Sequence, residues 1–116
     1  MAVQVNSVAV PTSMVNRGRY LFTPPPVVAT NGLGDAVTAG ASSIEWTWPV
    51  VTATEFAYWW TTLGAGAGSA RHGNNRFRDV TGTETAYSVC VVERPTWEHF
   101  TGDSYRNFTV RITQIA

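Results

Sequence analysis

The chain has no lysine, only one cysteine and little charge. Of its 116 residues, 14% are charged, against about 25% in ordinary soluble domains. Eight arginines balance eight carboxylates, so the formal net charge is zero. Without a basic excess, general nucleic-acid binding is not expected, because it rests on counterion displacement. Nor is a polybasic attachment to an anionic membrane. Without lysine there is no Gly-Lys-Ser/Thr phosphate loop. The glycine-rich run 64–69 therefore reads as a helix stop and loop, not a nucleotide cradle. A single Cys90 excludes an internal disulfide framework and a cysteine-based zinc site. In the apolar run Tyr87–Val92 it is expected to pack as a small hydrophobe. His72 and His99 lack the short spacing of metal ligands. The carboxylates are scattered singly along the chain. No catalytic residue, cofactor or metal is expected. No apolar run approaches the ~20 residues of a membrane span, and no apolar segment follows a charged start, so no secretory leader is expected.

Apolar and aromatic area are plentiful by comparison: 44% of residues are hydrophobic, with five Trp, four Tyr and five Phe. The length suits a single domain over 1–116. Val3–Val10 holds two valine-rich runs around Asn6-Ser7, which suits a hairpin or a kinked strand. Tyr20-Leu21-Phe22 reads as a strand that stops at three prolines. From about 24 to 43 the chain is rich in Pro, Gly and Ala and is expected to form an extended arm or loop. Ile44-Glu45-Trp46-Thr47-Trp48 alternates strictly as a strand, with Pro49 as its expected end. Thr52 and Glu55 have the spacing of a capping box, followed by Phe56, Trp59, Trp60 and Leu63 on one stripe and then Gly64. The spacing predicts a helix over about 53–63. Gly64 to Asn75 reads as a flexible loop, 76–80 as a short strand, Ala86–Glu93 as a central strand, and Arg94–Ser104 as a connection. Tyr105–Ile115 reads as a last strand. The expected fold is mainly β: an antiparallel β-sandwich or partial barrel with one packed α-helix.

The aromatics divide into two groups. Trp46, Trp48, Phe56, Trp59, Trp60 and Leu63 are expected in the core. Val89 and Val91 of the central strand join them, with Phe108, Val110 and Ile112 of the last strand. Trp97, Phe100 and Tyr105 lie in or beside a loop, flanked by Arg94 and Arg106, which is the composition of interface cores. A glycan-stacking platform is the competing reading. The outward face of the last strand, including Arg111, could pair with another subunit if that strand is an edge. Pro25 and Pro26 in the arm are further candidates for subunit contact.

The Trp-rich strand running into a capped helix (Glu45–Trp48, then Thr52–Trp60) forms a pattern with two later runs. These are the Tyr-x-Val-x-Val-x-Glu-x-Pro run of 87–95 and the aromatic-led strand Tyr105–Ile112. Over Ile44 to Ile115 it resembles small structural virion proteins of tailed bacteriophages, tail- or neck-associated and of the tail-tube type. The resemblance implies a β-sandwich with a helix on one side and no catalytic residues. It further implies assembly with copies of itself and other virion proteins, inside the host cytoplasm and then in the virion. A capsid decoration or head–tail joining protein is the alternative within that class, and a glycan- or receptor-binding module the alternative outside it.

Overall fold

The computed structural model describes residues 3–15, 17–24, 27–30, 36–38 and 41–116. In chain order its first elements are Gln4–Val5 (β1), Val8–Ala9 (β2), Thr12–Val15 (α1), Arg19–Thr23 (β3), Val27–Thr30 (β4) and Ala36–Thr38 (β5). Then come the long strand Ser42–Thr52 (β6), the helix Ala53–Ala57 (α2) with its π-helical continuation Tyr58–Thr62, and a 3-10 turn at Ala65–Ala67. The remaining strands are Ala70–His72 (β7), Asn75–Arg78 (β8), Glu84–Tyr87 (β9), Cys90–Val92 (β10), His99–Thr101 (β11) and Ser104–Ile115 (β12). All pairings are antiparallel, and the fold is mainly β and sandwich-like. The larger sheet runs β3-β6-β12-β10-β7, with β11 added on β12; the smaller runs β2-β1-β8-β9. β4 and β5 pair with each other as a separate hairpin.

Alternation of side chains along β6 and β12 builds the centre. Trp48 lies opposite Phe108, Trp46 opposite Val110, and Ile44 opposite Ile112, all buried. Val5 and Phe77 from the smaller sheet, and Val3 just before it, close on the same core, with Met14, Trp59 and Leu63. Trp46 and Trp48 stack at 4.7 Å, and Trp59 meets them at 6.3 and 6.0 Å. The indole N–H groups of the first two are satisfied by α1 and by the chain that leads from it to β3. Trp48 donates to the Met14 carbonyl at 3.1 Å and Trp46 to the Arg17 carbonyl at 3.4 Å. That chain can lie so close because Gly18 has φ +84°, and a Cβ there would sit 2.5 Å from Trp48 Cδ1.

The capping box is present: the Thr52 side chain accepts from the Glu55 N–H, and Glu55 accepts from the Thr52 N–H. The Glu55 carboxylate is buried, which opposes ionisation. Hydrogen bonds from Ser13 Oγ (2.6 Å) and the Thr52 N–H, with the Arg17 guanidinium at 3.1 Å, outweigh that and hold its pKa below the ordinary value. The same contacts tie the first helix and β6 to α2. Gly64 ends the helical segment at φ +72°.

Several expectations are corrected. Pro49 does not end its strand: β6 continues to Thr52, and pairing resumes on its far side in the same register, with Val50 opposite Arg106. The partner strand accommodates this at Asn107, whose φ is +51°. Ala86–Glu93 is not one central strand. It breaks at Ser88-Val89, whose N–H groups both donate to the Ala116 carbonyl, and its halves join different sheets. Consequently Val89 and Val91 are only half-buried, and Cys90 and Val92 fill the core instead. A continuous apolar run carries no parity signal, because either set of alternate residues could face inward. Burial pushes the Cys90 thiol up to about 12, as expected of a packed hydrophobe. Gly64 to Asn75 contains the 3-10 turn and β7, so it is not wholly loop, and Arg94–Ser104 contains β11. The last strand is internal, between β6 and β10, so its outward face is not an edge. In the arm, β4–β5 forms a hairpin, and Pro25 and Pro26 lie outside the described residues.

Candidate functional site

Two of the expected core aromatics, Phe56 and Trp60, are only partly buried. Four residues apart, they share one face of the helical segment and stack at 5.1 Å. Trp60 can lie flat there because Gly66 has no side chain: a Cβ at Gly66 would come within 2.4 Å of the indole. On the other side, Phe56 stacks on Tyr105 at 4.0 Å, and Tyr105 touches Phe100 across the β11–β12 hairpin at 4.8 Å. Trp97 sits edge-on to Phe56, Trp60 and Tyr105 at 5.3–5.7 Å. The Arg94 guanidinium lies over the Trp60 ring, 4.9 Å from its centroid.

The result is a patch of five aromatic rings and one arginine, continuous with the core through Phe108. Its outer members are open: Trp97 is 36% and Phe100 54% exposed. The hairpin that carries Phe100 turns through Gly102 at φ +63°, and Asn107 bonds to Glu98 behind it. The left-handed Asn107 also explains why Tyr105 and Phe108, three residues apart, both reach Phe56. Strict alternation would put them on opposite faces.

The structure therefore brings together Arg94, Trp97, Phe100 and Tyr105 from the expected interface set, and adds Phe56 and Trp60. It does not add the other arginines. Arg106 occupies the rung between His99 and Val50, and Arg111 lies on the outer face of the larger sheet, 3.3 Å from Glu45. Phe56 and Trp60 were hidden in the sequence because a helical stripe of aromatics normally faces the core. Chemically, the patch offers apolar area, ring faces and one cation, a composition suited to contact with another surface.

Among the described residues, no group of three His, Cys, Asp or Glu could hold a metal ion, and no helix is long and apolar enough to cross a membrane. No family model, curated protein or solved structure matches the chain.

Proposed function

We propose that the chain is a non-enzymatic structural subunit that assembles with copies of itself and with other virion proteins, as a tail component of a tailed bacteriophage. The phage reading rests on the sequence resemblance over Ile44 to Ile115. The assembly reading rests on the aromatic patch. Trp, Tyr and Arg dominate the energetics of protein interfaces, and here they stand together with Phe100 more than half exposed. The β4–β5 hairpin adds support: its strands pair only with each other among the described residues. A lone two-stranded hairpin is marginal in water, and a neighbouring subunit would cover its free edges. A capsid decoration or head–tail joining role uses the same surfaces and differs only in location.

Negative-stain imaging and mass photometry of the concentrated recombinant protein test the proposal. Rings, tubes or binding to purified phage particles are the expected result. A monomer at every concentration that binds no particle overturns it.

A further inference from the structure

The outer face of the larger sheet carries a second, different surface. Leu21, Glu45 and Arg111 stand on one rung across three neighbouring strands, and the Glu93 N–H donates to the Arg111 carbonyl at 2.9 Å, which continues that rung. On a parallel rung, the Thr47 and Thr109 hydroxyls lie 3.3 Å apart, and Thr96 bridges to Thr109. Three adjoining depressions follow these rows. One of about 260 Å³ and one of about 380 Å³ share Glu45, Glu93 and Arg111. A third of about 360 Å³ shares Arg94 and Thr96 with the second and ends on Trp97. A single groove thus crosses the sheet from Leu21 to Trp97, about 14 Å over the three strand spacings alone.

We propose that this groove binds a neutral oligosaccharide. The lining offers hydroxyls that donate and accept, carboxylates that accept at two oxygens, guanidiniums that donate in a fork, and a flat ring at one end. A sugar chain presents the complement: hydroxyls along its edges and apolar C–H faces for the ring. Glu45 and Glu93 cancel Arg94 and Arg111 in charge, which favours a neutral ligand over a nucleic acid or an acidic chain. An extended peptide would add to a sheet edge through its main chain. The groove instead crosses β6 and β12, whose ladders are already paired on both sides where the groove runs. The exposed Glu45–Arg111 pair contributes little to stability, so the fold does not require it there.

The inference is independent of the assembly reading, although the two surfaces meet at Trp97. Neutral hexasaccharides built from glucose, xylose or N-acetylglucosamine are titrated against the native protein, with intrinsic tryptophan fluorescence and calorimetry as readouts. An oligogalacturonate and an uncharged ten-residue peptide run alongside. At least one neutral hexasaccharide is expected to bind. Glu45→Gln and Trp97→Ala should each weaken it by about tenfold or more, with thermal melts showing both variants folded. Phe100→Ser should leave sugar binding within about twofold, and Glu45→Gln should leave the assembly state unchanged, so the two proposals fail separately. The inference is overturned if no neutral hexasaccharide binds, if binding survives both groove variants, or if the acidic chain or the peptide binds more tightly.

Discussion

Trp46, Trp48 and Trp59 are at most 1% exposed, whereas Trp97 and Phe100, linked to them through Tyr105 and Phe108, keep 36% and 54% of their surface open. The first group sits where strand alternation and the helical stripe demand apolar side chains, and two of its three indole N–H groups have backbone acceptors. The second group is held by ring-to-ring contact, by the space Gly66 leaves, and by a left-handed Asn107. It carries more aromatic area than closing the sandwich requires. The contrast separates aromatics that make the fold from aromatics that the fold presents.

Substitutions should divide along the same line. The largest expected effect is Trp48→Ala, which leaves a cavity beneath Gly18 and should cost about 3–5 kcal/mol in urea unfolding. A loss under about 2 kcal/mol would mean that the tryptophan cluster is not the stabilising centre. Next is Gly66→Ala. Its Cβ must displace Trp60, and the strain should cost about 1–3 kcal/mol, with a change in tryptophan emission. An unchanged emission spectrum would show that Trp60 does not lie over Gly66. Third is Glu55→Gln, which can keep the cap but loses the charge that faces Ser13 and Arg17, and is expected to cost about 1–2 kcal/mol at neutral pH. Glu55 has a lowered pKa in the folded state. Its contribution is therefore full above the unfolded value and is lost as pH falls through the folded one. Melting curves below pH 5 should show the native protein losing ground on the variant, and parallel curves would contradict the assignment. The smallest stability effect is Phe100→Ser, within about 1 kcal/mol of the native protein.

Much of this contrast was legible in the sequence, and its limits have physical causes. The alternation around Trp46 and Trp48 and the Thr52/Glu55 cap are local patterns with one reading, and both appear as expected. The Asn6-Ser7 turn also forms, with both residues at positive φ. The strand at 86–93 was not legible because its break depends on the distant Ala116, and an unbroken apolar run leaves inward and outward residues undefined. The patch was half legible. Its loop members were visible as stray aromatics beside arginines, but recruiting Phe56 and Trp60 required the Pro49–Asn107 irregularity and the contact with Gly66. Arg106 was drawn in by sequence proximity to the loop aromatics and Arg111 by reading the last strand as a possible edge; the ladder sends both elsewhere and places that strand inside the sheet.

The central claim is that the open aromatics serve association and not folding. Sedimentation velocity on the native protein and on Phe100→Ser, over a wide concentration range, tests it most directly. The account predicts concentration-dependent association of the native chain and a variant that stays monomeric with nearly the same melting temperature. A native chain that remains monomeric throughout, or a variant that associates equally well, would contradict it.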